Sequence, residues 1–128
     1  MRLLALLKQA DGAAAVEFAF VGPIFLVLLL AILQSGMMLW TQLGLEHAVE
    51  SAARCSAVNG TICGTSSAVQ TYAASQAYGL NLPSSTFSYS KSTCGNLVSG
   101  SYTYYFLTRA FGTASVPLSA QACFPSQS

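Results

Sequence analysis

The sequence predicts an α+β protein: a long N-terminal transmembrane helix followed by a small disulfide-bonded head with a short helix and antiparallel strands. Three observations carry this. An apolar run from Phe18 to Leu33, broken only by Gly22 and Pro23, continues uncharged to Leu45. A Ser-, Thr-, Gly- and Tyr-rich C-terminal half then alternates polar and apolar residues, as half-buried strands do. All four cysteines, Cys55, Cys63, Cys94 and Cys123, fall after the apolar run. The chain has 128 residues, 53% hydrophobic and 7% charged, against about 25% charged in ordinary soluble domains. A formal net charge of +1 without a basic run leaves no footprint for nucleic acid.

The N-terminal stretch Met1 to Gly12 carries Arg2 and Lys8, has one acid, Asp11, and ends in glycine. It reads as a leader distinct from the helix after it. From Ala13 to about Val58 the pattern predicts one helix. About 20 apolar residues cross a bilayer, and the span is expected at about residues 18–40, with Trp40 at the aromatic belt. Arg2 and Lys8 before the span place the N-terminus in the cytoplasm by the positive-inside rule, and the head outside. The apolar run exceeds the 7–15 residues typical of a cleaved secretory signal. A helix from Ala13 to Val58 would be about 69 Å long and must project beyond the bilayer.

Within that helix, Glu17 is the only charged residue between Asp11 and Glu46. A carboxylate at the centre of a membrane helix costs roughly 2.5–3.5 kcal/mol, so one at the head of the apolar run is expected to have a function. Pro23 removes one helical hydrogen bond and reads either as an ordinary membrane-helix proline or as a weak point that lets the helix adjust. From Thr41 the helix turns amphipathic: Leu45, Val49, Ala52 and Ala53 share one face, while Glu46, Glu50 and Arg54 stand at i, i+4 on another. Asn59-Gly60 stops it, since both residues tolerate the left-handed conformation.

The head is expected to span residues 59–128. Ser67-Ala68-Val69-Gln70 fits a capping box and predicts a helix from Ala68 to about Tyr78, closed by Gly79. Asn81 to Ser84, containing Pro83, is a turn. Thr86 to Lys91 predicts a strand with Phe87 and Tyr89 on one face. Ser99-Gly100 precedes a second strand, Tyr102 to Leu107, with Tyr102, Tyr104 and Phe106 aligned and Tyr105 opposite. Ala114 to Cys123 predicts a third, with Val116, Leu118, Ala120 and Ala122 aligned; Pro117 cannot donate to a ladder and makes it an edge. Four cysteines allow three pairings. Cys55 with Cys63 would staple the turn after the long helix, and Cys94 with Cys123 would tie the strands, at about 3 kcal/mol per bridge. The other two pairings join Cys55 to Cys94 or to Cys123.

No motif in the chain assembles catalytic chemistry. His47, the single histidine, lies beside Glu46 on the amphipathic helix, without a nucleophile motif around any serine. There is no C-x-x-C pair, so no metal site is expected, and no cofactor. Asn59-Gly60-Thr61 has the form of a glycosylation sequon but is accounted for by the helix-ending turn.

The run Gly12-Ala13-Ala14-Ala15-Val16-Glu17-Phe18-Ala19-Phe20-Val21-Gly22-Pro23, continued by Ala48-Val49-Glu50-Ser51-Ala52-Ala53-Arg54, resembles the TadE-like proteins. These are minor pilins, or pseudopilins, of tight-adherence (Flp-type) type IV pilus systems. The resemblance covers about residues 12 to 55, and the C-terminal half shares only the family's style. It implies a pilin-like fold and a single-pass protein of the bacterial inner membrane with a periplasmic head, open to incorporation in an extracellular pilus. It implies cleavage between Gly12 and Ala13 by a prepilin peptidase, with the other pilins, the inner-membrane assembly platform and the lipid bilayer as partners. It further implies that Glu17 and Phe18 serve processing and assembly, Glu17 pairing with the new Ala13 amine of a neighbouring subunit or of its own chain. The leader's Asp11, and Ala13 where other type IV pilins begin with phenylalanine or methionine, depart from the pattern. Two other readings of the chain stay open: an unprocessed single-pass envelope protein with a binding head, and a structural filament subunit. The main tight-adherence pilins are shorter, which sets this chain apart from the bulk subunit.

Overall fold

The computed structural model describes residues 2–107 and 114–126, with side chains from residue 12 onward. Helix α1 spans Arg2–Val58, α2 spans Ser66–Ser75, and a 3-10 turn at Ser84–Thr86 leads into three strands: β1 (Phe87–Ser92), β2 (Gly95–Tyr105) and β3 (Ser115–Phe124). The chain divides into two compact units, Met1–Gly36 and Met37–Ser128. The architecture is the expected α+β, pilin-like one. The helical conformation begins at Arg2, earlier than the expected Ala13: α1 passes through Gly12 without a break. A single glycine costs a helix only about 1 kcal/mol, less than the surrounding Leu- and Ala-rich sequence contributes. The side chains of Arg2, Lys8 and Asp11 lie outside the described ones.

The first unit is all helix, and Pro23 sits inside it. Its apolar side chains are exposed almost without exception, from Val16 to Leu33. Among the described residues, α1 is the one helix long and apolar enough to cross a membrane.

In the second unit the amphipathic part of α1 buries Leu45, Ala48, Val49, Ala52 and Ala53, the face the i, i+3, i+4 spacing anticipates. These meet Val69, Ala73 and Ala77 from α2 and the turn after it, and Phe87, Val98, Tyr104, Leu118 and Ala120 from the sheet. The many alanines let the elements approach closely, so Phe87, Leu45, Val49, Val69 and Val98 are the large side chains fully enclosed. Glu50 and Arg54, spaced for an ion pair, form none; both point into solvent, where such a pair contributes little.

Helix α1 ends at Asn59 as expected, but not by the left-handed turn, since neither Asn59 nor Gly60 has a positive φ; instead Asn59 N–H donates to Cys55 O at 2.8 Å while its side-chain oxygen accepts from Ile62 N at 3.1 Å. Helix α2 starts earlier than the capping-box reading. Thr65, not Ser67, is its N-cap, its hydroxyl accepting from Ala68 N at 3.2 Å. It ends at Ser75, before Tyr78, and Gln76 caps its last carbonyls.

The sheet is antiparallel, in the order β1-β2-β3. Strand β2 begins seven residues before the expected Tyr102, at Gly95, so Ser99-Gly100 lies mid-strand rather than ahead of the strand. The reason is steric. Gly100 pairs with Phe87, and a Cβ there would come within 2.9 Å of Leu45 Cδ1 and 3.1 Å of the Phe87 ring. Glycine leaves room for the aromatic ring and the helix to fill the core above it. Strand β3 is an edge, as Pro117 requires, with Leu118 and Ala120 buried. That edge is partly covered, since Gln42 Nε2 of α1 donates to Ser119 O at 3.1 Å, one way of blunting an exposed ladder. On β2, Tyr104 is buried and Tyr105 exposed, so the tyrosines divide between two faces.

Two disulfides close the head. Cys55 joins Cys63 across eight residues, pinning the turn after α1. Cys94 joins Cys123 across 29 residues, tying the β1–β2 turn to the end of β3.

Candidate functional site

Gly12, Ala13, Glu17 and Phe18 lie in regular helix at the N-terminal end of the apolar stretch. All four are exposed, and nothing lies within 4 Å of a Cβ built on Gly12. Glu17 makes no hydrogen bond or ion pair among the described residues. It stands one turn after Ala13, about 6 Å along the axis, on the same side of the helix. Phe18 is 78% exposed, and Phe20 is 73% exposed. The segment therefore presents a small-residue peptide bond, a free carboxylate and two aromatic rings, with no internal partner for any of them among the described residues.

Residues 12–54 match the TadE-like protein family. No curated relative and no solved structure matches the chain. The TadE-like segment runs from the glycine before Ala13 through the apolar stretch to Arg54, so it holds the exposed Gly12–Phe18 site and the part of α1 that packs into the head. The match points to a component of a tight-adherence pilus system, a family of assembly proteins, and to contacts with other pilus components. With one long apolar N-terminal helix, this fits a single-pass membrane protein.

The head carries open grooves on its surface. A groove of about 450 Å³ crosses the sheet, lined by Ser88, Ser99, Ser119 and Gln121 among others, with no titratable side chain. Ser88 and Ser99 hydroxyls bond to each other across it at 2.7 Å. A second groove of about 440 Å³ runs between Glu46 and Glu50 of α1 and residues 119–122 of β3, and Glu46 there accepts from Gln42 Nε2 at 2.8 Å. Among the described residues no cluster of three or more His, Cys, Asp or Glu could hold a metal ion.

His47 has a structural partner that the sequence did not reveal. Its ring stacks on Tyr78, centroids 4.4 Å apart, and its Nδ1–H donates to the Gln76 carbonyl at 3.0 Å. Tyr78 also lies 6.0 Å from the ring of Trp40. Its φ of +48° is left-handed, a conformation costing a non-glycine residue about 1–2 kcal/mol. Gly44 makes the approach feasible, because a Cβ there would sit 2.6 Å from Leu80 Cδ1 and 3.2 Å from Ala77 O. The one available sequence signal was the spacing of Trp40, Gly44 and His47 on a single helix face. Nothing local announced that Tyr78 would join them.

Proposed function

We propose that this protein is a minor pilin, or pseudopilin, that takes part in assembling a tight-adherence type IV pilus. The supporting observation is the exposed Gly12–Phe18 segment at the head of an apolar helix that carries the TadE-like match. In this reading a prepilin peptidase hydrolyses the Gly12–Ala13 amide. Water adds across the bond, leaving a carboxylate on Gly12 and an ammonium on Ala13. The chain is the substrate, and the catalytic groups belong to the peptidase.

Cleavage makes Ala13 the start of a shorter helix with Glu17 near its first turn. A carboxylate there is favoured by the helix dipole by about 0.3–1 kcal/mol. The exposed carboxylate of Glu17 then pairs with the Ala13 ammonium of a neighbouring subunit, fixing the axial register of one helix against the next. In hydrocarbon such pairing offsets the cost of an isolated charge. The apolar span first anchors the chain in the inner membrane, with the head on the periplasmic side, and later packs among other pilins.

N-terminal sequencing of the protein recovered from membranes tests the first step. A start at Ala13 that depends on the peptidase is expected. An intact Met1 with and without the enzyme would refute processing and leave an unprocessed membrane anchor. Glu17→Gln tests the second step: processing should remain normal while incorporation into pilus assemblies is lost. Retained assembly would refute intersubunit pairing.

A further inference from the structure

We propose that the loop carrying Tyr78 docks the head onto the bilayer surface, completing an aromatic belt with Trp40 at the level of the lipid headgroups. This inference rests on the membrane-spanning reading of α1, and on neither peptidase cleavage nor pilus assembly.

The argument starts from exposure. Met37, Trp40 and Leu43 line one face of α1 at i, i+3, i+6 and are 55%, 56% and 57% exposed. Tyr78, from a loop 38 residues later, joins this face beside Trp40 and is 52% exposed itself. The patch is thus apolar, aromatic and uncovered. Its place along the chain identifies the occupant. From Phe18 to Trp40 the helix rises about 33 Å, close to the roughly 30 Å of a hydrocarbon core. Trp40 therefore falls at the edge of the lipid, and the polar residues Glu46, His47 and Glu50 begin about 9 Å further on. Tyr78 lies between these levels, stacked on His47 and next to Trp40. Tyrosine and tryptophan, apolar at one end and hydrogen-bonding at the other, suit that interface.

The loop is also built to reach this place. Tyr78 adopts a left-handed φ of +48°, followed by Gly79 at +75°, an unfavourable conformation for a bulky residue. Gly44 provides the notch that lets Ala77 and Leu80 close against the helix, and His47 holds the Gln76 carbonyl. The strained backbone holds the Tyr78 ring against His47 and beside Trp40 while leaving about half of it exposed. A lipid interface covers that exposed half.

The sequence contains a single tryptophan, which supplies the probe. The full chain is reconstituted into phosphatidylethanolamine–phosphatidylglycerol vesicles as wild type, as Trp40→Phe/Tyr78→Trp, and as Trp40→Phe/Tyr105→Trp. Fluorescence is then quenched from the lipid by brominated acyl chains and from water by iodide. We expect positions 40 and 78 to be quenched by bromine near the headgroup end of the chain and to be several-fold less sensitive to iodide than position 105. In the unsubstituted chain in lipid nanodiscs, a paramagnetic headgroup label should broaden the Tyr78 ring resonances and spare those of Tyr105, a readout independent of the variants' folding. Lipid quenching at position 40 without it at position 78 overturns the docking alone. Absence at both overturns the membrane reading beneath it as well. Shielding of position 78 that grows with the protein-to-lipid ratio would assign the face to a second copy of the chain and overturn the proposal.

Discussion

The two disulfides close loops of very different length, and this difference can be turned into a ranked expectation. Cys94 and Cys123 are 29 residues apart, Cys55 and Cys63 eight. Loop-closure entropy then assigns the first bridge about 3.6 kcal/mol and the second about 2.5 kcal/mol, a gap of about 1.1 kcal/mol. A unit of this size is stable by about 5–14 kcal/mol. The head should survive loss of either bridge, whereas loss of both, about 6 kcal/mol together, should bring it to the margin of folding. The test uses the full chain in lipid nanodiscs, as Cys94→Ala/Cys123→Ala and as Cys55→Ala/Cys63→Ala, with urea titration read by pulse proteolysis of the head. At an m-value of about 1 kcal/mol per molar urea, the midpoint of the first variant should lie about 1 M below that of the second. Packing works against this order, since Cys55 and Cys63 are buried and Cys94 is exposed. If the Cys55–Cys63 variant is the weaker, local packing around the turn, and not loop closure, governs these bridges.

Further expectations concern the core. Gly100→Val places branched carbons where Leu45 and Phe87 already stand and should cost about 1–3 kcal/mol through overpacking, despite valine's higher strand propensity; an unchanged urea midpoint would show that the site has room. Tyr89→Phe removes the hydroxyl that donates to Asn96 Oδ1 at 2.8 Å. Asn96 is only 3% exposed, so leaving its oxygen without that donor should cost about 1–3 kcal/mol, visible as a lowered thermal midpoint. The further change to Tyr89→Phe/Asn96→Leu should recover part of the loss, because an apolar pair leaves no polar atom unsatisfied.

Much of this architecture was legible one residue at a time. The apolar run, the helix stop at Asn59, the buried face through Leu45, Val49, Ala52 and Ala53, and the alternation of β1 and β3 depend on short-range periodicity. So did the edge position of β3, because Pro117 carries its own backbone restriction. The boundaries that moved did so where a neighbour outweighed a local signal. Ser99-Gly100 reads as the stretch before a strand, yet tertiary packing of Phe87 and Leu45 uses the missing side chain of Gly100 in the middle of one. Ser67 reads as a helix cap, yet Thr65 has the extended backbone and the capping hydroxyl two residues earlier. The proposed Gly12–Phe18 site needs no fold to bring its parts together, because they are contiguous in one helix.

The sequence by itself determined the class of the protein: an apolar helix with one acid at its head, joined to a cysteine-bearing α+β domain. Composition and periodicity suffice for that, since each is a property of neighbours along the chain. Tertiary structure alone decided that Gln42 covers Ser119 on the β3 edge and that His47 and Trp40 receive Tyr78. Those outcomes depend on where residues distant along the chain are carried by the packing of small side chains, above all at Gly44 and Gly100, where the absence of a Cβ sets how closely two elements approach.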